Sequence, residues 1–500
     1  MVLMQSKKIT ITTLSPVHIG CGEEYLPTNF VIKDQLLHFL DMAVIADELS
    51  EAERKALGNL QTVGVIQQFF KSKRERFAPL ATHLVEVAAA IAQEYEDKAG
   101  KSTQQANGGA PIYNLLQILR TAFNVLDNAP YLPGSSLKGS MRTALLNAEN
   151  KGKALLAEEV RDKKGNNRNL QQRLLGYAGG KFENDPLRHL HIVDAHHDEE
   201  TDPAPSQILY AVSKKKRISE RGSPELKVFL EVIPGLLNNV FTGEIRLTSD
   251  RITWQLLCDA CNDFYYPQLQ AELNHAHLSG LLETKWKNLL QSLITDEINT
   301  LRENRQGFLL RVGKHSGAES LTLNGVRDIK ILGKQGEPPS YRSETTEKRF
   351  ASQNKLANSG LLPFGWIWIE ACDDAHQHVS ISMHDKIQPH THQIREAQRQ
   401  RLSMVAQAEQ LVGQTDEEKQ QQREIQQQQN AQPWPGARIK FNAGNGALSV
   451  EKDGKTATAI APKGEQLLQT LASDIQKKVR TNQYVKVTAY VDDRTLVRIE

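Results

Sequence analysis

Two glycine-rich segments hold the residues whose types and spacing best suit contact with a polyanion. The first runs Tyr131-Leu132-Pro133-Gly134-Ser135-Ser136-Leu137-Lys138-Gly139-Ser140-Met141-Arg142. Gly134 and Gly139 allow a phosphate to approach the backbone closely, and the N–H groups at a helix start present it with a favourable dipole. Lys138 and Arg142 stand four residues apart, so they share one helical face and add charge there. A tight turn packed inside the protein, with two solvated cations, is the alternative reading. The second segment, Gly313-Lys314-His315-Ser316-Gly317 with Arg311 just before it, is either a second backbone contact for RNA or a glycine-rich connection between strands. Neither has the GxxxxGKS/T order of a nucleotide-binding loop, which argues against an NTPase.

Smaller groups add to these candidates. His18, between Pro16 and Gly20, is placed either to touch a base or sugar or to fill a loop pocket. Lys214-Lys215-Lys216-Arg217 is a solvated basic loop, or a grip on RNA or a neighbouring subunit. Metal is the competing chemistry. Cys258 and Cys261, followed by His275 and His277, supply four zinc-type ligands, but the His-x-His spacing is shorter than the usual finger arrangement. Buried helical cysteines therefore stand beside zinc as a reading of that set. His376, His378, His384, His390 and His392 with Asp373 and Asp374 include no ligand pair at a standard spacing for a metal-dependent nuclease. Asp34, Asp41 and Asp47 read as turn or helix residues rather than as acid/base groups for RNA cleavage. No catalytic residue and no cofactor are expected.

The elements that must position these groups follow from pattern. The chain has 500 residues, 39% hydrophobic and 24% charged, with a net charge of +2, which a prior of ~150 residues per domain divides into about three units. With so small a net charge, a nucleic-acid site has to be a local basic stripe. No run of ~18 apolar residues suggests a membrane span. The N-terminus lacks an apolar signal core, and the four cysteines are too few for a disulfide framework, so a cytoplasmic protein is expected. Alternating residues predict a strand over 7–14 and a hairpin-like pair at 30–32 and 36–39, followed by helical spacing to about residue 126. Leu137, Met141, Ala144, Leu145 and Ala148 predict a helix capped by Ser135 or Ser136. Strand-like runs at 187–195 and 207–212 suggest a hairpin that carries the basic cluster outward. Further strands are expected at 243–249, 307–312 and 361–370, the last closing a second sheet, with a mostly helical stretch over 252–301. A Gln-rich linker or polar helix, 396–434, then leads to a small α+β domain at 435–500 with a turn at Asp453-Gly454.

Taken in order, ITTLSPVHIGCGEE near the N-terminus, YLPGSSLKGSMRTALL, DPLRHLHIVDA, GFLLRVGKHSG and LPFGWIWIE resemble the RAMP superfamily of CRISPR-associated proteins, and in particular the subunit-five family of the type III-A Csm complex. The resemblance covers roughly residues 7–370. It implies an α+β protein with two ferredoxin-like (RRM-like) modules bearing helical insertions, here 1–235 and 236–395. It further implies a non-catalytic subunit that binds CRISPR RNA, caps the complex backbone at the RNA's 3′ end, and is needed for CRISPR RNA maturation in antiviral defence. The implied partners are CRISPR RNA, nearby target RNA, a backbone RAMP subunit and the small subunit. A metal-dependent RAMP endoribonuclease, or an adaptor recruiting a host nuclease through the C-terminal domain, are the competing functions. The tail domain and the histidines His189 and His191 depart from the family pattern.

Overall fold

The computed structural model describes all residues except 1–4, 61, 106–110, 114–115, 157–158, 160–165, 178–180, 198–203, 219–227, 332–337 and 373–380. The expected His376 and His378 cluster lies outside the described residues. By internal contacts the chain divides into Met1–Arg399 and Gln400–Glu500. No helix among the described residues is long and apolar enough to cross a membrane.

The first unit contains, in chain order, β1 (Gln5–Thr13), β2 (Gly20–Tyr25), β3 (Phe30–Lys33), β4 (Leu36–Phe39), β5 (His83–Val87), β6 (Ile118–Thr121) and α1 (Gly134–Asn150). There follow β7 (Leu190–Ile192), β8 (Gln207–Lys215), β9 (Val228–Val232), β10 (Leu237–Leu247), α2 (Trp254–Leu273) and β11 (Gly307–Arg311). It ends with β12 (Glu347–Ser352), β13 (Leu362–Pro363), β14 (Trp366–Cys372) and the start of α3 (Ile381–Asn430).

A five-stranded sheet has the order β11–β14–β1–β10–β7, and every neighbouring pair in it is antiparallel. β1 lies between partners far away in sequence: Ile11 faces Phe241 on one side and Ile369 on the other. In this central place Thr10, Thr12 and Thr13 are buried along with Ile9 and Ile11, because both faces of the strand are covered. The same holds for β14, where Trp366, Ile367, Trp368 and Ile369 form a continuous apolar run and are all fully buried. Leu137, Met141, Ala144 and Leu145 form the buried stripe of α1, and burial of the three larger side chains is worth roughly 2 kcal/mol each. The α1 and α2 helices meet where the Tyr265 hydroxyl donates to the Ser140 carbonyl at 3.0 Å.

A second sheet has the order β2–β6–β9–β8–β5–β4–β3, with β12 on β8 and β13 on β12. Both sheets therefore draw strands from either side of residue 235, and the expected boundary there is not a structural one. The 361–370 run closes the sheet of β1 rather than a separate later sheet. The expected hairpin of 187–195 with 207–212 does not form either: β7 pairs with β10, whereas β8 pairs with β9, β12 and β5.

In the second unit, α3 is helical across the Gln-rich segment. Beyond it come β15 (Gln432–Asn442), β16 (Ala447–Lys452), β17 (Lys455–Ala459), α4 (Lys463–Gln469), α5 (Ser473–Arg480), β18 (Lys486–Asp492) and β19 (Thr495–Ile499). The five strands close into a barrel in the order β15–β16–β17–β19–β18. The barrel encloses its own core, which includes Ile439, Leu448, Val450, Ala457, Ala489 and Leu496.

Candidate nucleic-acid interface

Several motifs distant in sequence converge in the first unit. The loop after β1 places His18 directly under the 313–317 loop, where the Lys314 N–H donates to the His18 carbonyl at 2.8 Å. α1 joins the same region, because the Ser140 hydroxyl donates to the Arg311 carbonyl at 2.9 Å. Glu231 of β9 anchors this floor: its carboxylate accepts from the Tyr25 hydroxyl at 3.2 Å, the Thr121 N–H at 3.2 Å and the Ser206 hydroxyl at 3.0 Å. Its carbonyl accepts from His18 Nδ1 at 2.7 Å.

Within this convergence the individual residues take different roles. His18 is fully buried, and burial lowers its pKa, so it fills a loop pocket as a neutral ring and its side chain is out of reach of a base. His315 lies beside Phe364, with ring centroids 5.3 Å apart. Burial, reinforced by Arg349, Lys314 and His18, brings its pKa to about 4. Arg311 likewise does not face a backbone contact for RNA. Only 2% exposed, it forms an ion pair with Glu272 at 3.0 Å, donates from Nε to the Phe364 carbonyl at 3.0 Å, and lies 4.7 Å over the Trp366 ring. Lys348 completes the cluster, 2.8 Å from the same Glu272 carboxylate. Burial pushes the Glu272 carboxyl up, but Arg311 and Lys348 outweigh it and hold the group below its ordinary value. Arg311 is thus a structural cation inside the fold.

The start of α1 differs from expectation in a similar way. Neither Ser135 nor Ser136 caps it; Pro133 precedes the helix, and the Asp194 carboxylate accepts the Gly134 N–H at 2.7 Å. A carboxylate from the β7 side therefore already occupies the place foreseen for a phosphate. Gly134 is needed for close packing, since a Cβ there would lie 2.2 Å from the Ile192 carbonyl oxygen. Gly313, at φ +78°, has the same function against the His18 carbonyl oxygen, also at 2.2 Å. Arg142 is held by Asp185 at 3.3 Å and by Gln171 at 2.8 Å. What remains open to solvent is Ser135, Gly139 and Lys314, with Ser136 and Lys138 half-buried. A methyl group added at Gly139 would meet nothing within 4 Å, so the helix surface there is flat and bare. Burial lowers the Lys138 pKa, Asp185 opposing that effect. Tyr131 and His196 stack nearby at 5.0 Å.

The basic cluster is drawn into the second sheet. Lys214 and Lys215 face Lys348 and Glu347 across the β8–β12 ladder, and the Lys214 ammonium donates to Asn358 at 2.7 Å. Lys216 is paired with Glu319 at 2.7 Å and Glu344 at 3.2 Å; Arg217 is exposed. Lys215, Lys216 and Arg217 line a cavity of about 670 Å³ with His275 and Arg342.

The candidate zinc ligands serve the fold. Cys258 and Cys261 are buried on α2, and burial pushes the Cys258 thiol up to about 12 and the Cys261 thiol well above its ordinary value. His275 Nδ1 accepts the N–H groups of His277 and Leu278, each at 3.2 Å. Among the described residues no three His, Cys, Asp or Glu side chains are grouped to hold a metal. On α3, His384 meets Asn238 and His392 meets Gln388, while His390 lies on the same helix. Sequence reasoning missed Asp194, Glu231, Glu272 and Lys348. Asp194 lies within the DPLRHLHIVDA run, while Glu231, Glu272 and Lys348 belong to no local motif, and the long-range partners of all four reveal them.

Residues 10–252 match the RAMP superfamily. The chain is 28% identical over 141 residues to a protein of Streptococcus thermophilus named CRISPR system Cms protein Csm5, a match covering 28% of this chain and 38% of that protein. A protein of the same name from Methanocaldococcus jannaschii is 26% identical over 135 residues, covering 27% of this chain and 28% of that protein. The chain thus matches well under half the length of either relative. Among solved structures, a chain of a Csm–crRNA–target RNA ternary complex from a type III-A CRISPR-Cas system aligns at 17% identity with a TM-score of 0.45, over 73% of this chain and 100% of that chain. The crystal structure of T. onnurineus Csm5 aligns at 17% identity and a TM-score of 0.41, over 72% of this chain and 99% of that chain. The family match over residues 10–252 and the relatives' names, together with the ordered motifs, make this chain similar to the RAMP superfamily and, within it, to Csm5 proteins.

Proposed function

We propose that this protein is a non-catalytic CRISPR RNA-binding subunit of a type III-A Csm effector complex. In this reading it works in the cytoplasm, caps the backbone at the 3′ end of the RNA, contacts a backbone RAMP subunit and the small subunit, and is needed for maturation of the RNA. The β1–α1–β7–β10–α2–β14 path, with sheet order β14–β1–β10–β7, supports reading this part as a ferredoxin-like RAMP module carrying β11 as an additional edge strand. The observation that carries the functional proposal is the convergence of the β1 loop, the solvent face of α1 and the 313–317 loop. Ser135, Lys138 and Gly139 lie on that face of α1, and Lys314 lies on the adjoining loop. Such a surface holds a phosphate backbone through hydroxyl and ammonium groups without reading sequence.

The test is CRISPR RNA binding by the full chain across a salt series. Lys138→Ala with Lys314→Ala should weaken binding and lower the slope of log K against log salt by up to about 2, about one for each phosphate no longer neutralised. Unchanged affinity and slope would remove these loops from the interface.

A further inference from the structure

The barrel of the second unit has a strand order with a functional implication of its own. Labelled one to five along the chain, its strands close in the order 1-2-3-5-4. The third and fifth are parallel, pairing Thr458 with Thr495, and α4 and α5 lie between the third and fourth. A five-stranded barrel of this kind has the OB strand order; OB barrels are used widely to hold single-stranded nucleic acid, commonly on the face of their second and third strands, whereas the aromatic rings and their cations here lie by the first, fourth and fifth strands.

Its surface chemistry is uneven. From residue 432 to the end there are eleven Lys and Arg against seven Asp and Glu, and several of the cations gather on β15, β18 and β19. The outward positions of β16 and β17 carry Ser449 and Thr458, whose hydroxyls bond one another at 3.0 Å, and Thr456, together with Glu451, Lys452 and Lys455, but no aromatic ring. On β15, β18 and β19 the outward positions include Arg438, Lys440, Lys486, Tyr490 and Arg498, with Tyr484 in the segment just before β18. Tyr484 is 63% exposed, with Arg438 5.1 Å and Lys486 5.9 Å from its ring. Arg438 and Lys486 face one another across the ladder. Tyr490 faces Arg498, whose guanidinium lies 3.9 Å over its ring and also reaches Glu500 at 3.4 Å. Each tyrosine therefore presents a π-face beside a cation, and the two are ~20 Å apart along the strand direction. Base stacking on such rings with phosphates on the flanking cations is the recurring arrangement for single strands.

We propose that this tyrosine and cation strip is a binding site for single-stranded nucleic acid, separate from the surface of α1 and the 313–317 loop. It holds a strand by stacking bases on Tyr484 and Tyr490 while Arg438, Lys486 and Arg498 neutralise phosphates. The site does not depend on the function proposed for the first unit.

The test uses the full chain and a fluorescent 12-nucleotide oligouridine, with a 4-thiouridine version for photocrosslinking. Tyr484→Ala with Tyr490→Ala should weaken binding about tenfold or more, while Tyr484→Phe with Tyr490→Phe retains it because the π-faces remain. Crosslinks should map to the peptide holding Tyr484 and Tyr490 and persist in the Lys138→Ala, Lys314→Ala protein. Crosslinks confined to residues 7–372 with oligouridine affinity unchanged in the alanine pair would overturn the site and leave the first-unit reading standing. Barrel crosslinks with no effect of Lys138→Ala and Lys314→Ala would do the reverse. Loss of a copurifying protein from the alanine pair, with oligouridine binding intact, would make the strip a protein-docking surface and also overturn the proposal.

Discussion

Glu370 sits on β14 across from Thr10 of β1 and Gly307 of β11, and it is only 5% exposed. One of its carboxyl oxygens, Oε1, has no hydrogen-bond partner, and burial raises its pKa from 4.5 to about 7. In the unfolded chain the group ionises near 4.5, while in the native sheet it holds its proton to about 7. As pH rises through this window, the unfolded state loses the proton first and native stability falls, levelling off above about 7. At about 1.4 kcal/mol for each pH unit between the two values, the full effect is about 3 kcal/mol. Glu370→Gln preserves the shape of the protonated acid and cannot ionise. The variant should therefore match the parent near pH 4.5 and exceed it by up to about 3 kcal/mol at pH 8. Urea unfolding followed by tryptophan fluorescence at closely spaced pH values reads this directly, since Trp366 and Trp368 lie on the same strand. A variant no more stable than the parent at pH 8, with the same dependence between pH 5 and 7, would refute a buried neutral carboxyl at this position.

Arg311→Ala leaves the fully buried Glu272 carboxylate with Lys348 as its one remaining cation beside the Trp366 indole N–H, so thermal and urea unfolding should show a loss of ~3 kcal/mol. The salt slope of RNA binding by the remaining folded protein should be unchanged. Two glycines on α1 should respond in opposite ways. Gly134→Ala drives a methyl into the Ile192 carbonyl and should abolish or severely reduce folded yield. Gly139→Ala meets open space and should stabilise the helix by about 1 kcal/mol, while weakening RNA binding where the strand approaches that bare surface.

Much of the local structure was legible in the sequence. The hairpin at 30–39 formed as β3 and β4 because Asp34 and Gln35 accept the positive φ its turn demands, and the spacing of Leu137, Met141, Ala144 and Leu145 predicted the buried face of α1. The turn at Asp453-Gly454 likewise joins β16 to β17. What stayed hidden was the partner of each strand. A strand pattern shows which face is apolar, not that β1 will lie between residues 237–247 and 366–372. The site shows the same limit. Arg311 and Lys314 are three residues apart in one glycine-rich run, yet one is buried on Glu272 and the other is exposed. Lysine and arginine are flagged by composition alone, but their burial is decided by Glu272, 39 residues upstream of Arg311.

The central place of β1 also bears on how the protein is made. Both edges of this strand stay unpaired until the ribosome has produced residues 237–247 for one and 366–372 for the other. At ~5–20 residues per second the later partner emerges roughly 20–70 s after β1 itself. Through that interval both edges of β1 are available for wrong pairing, whereas the barrel strands, all within 68 residues from Gln432 to Ile499, find their partners almost as soon as they appear. The yield of the first unit should therefore depend on the speed of synthesis and on holdase chaperones far more than the yield of the barrel does.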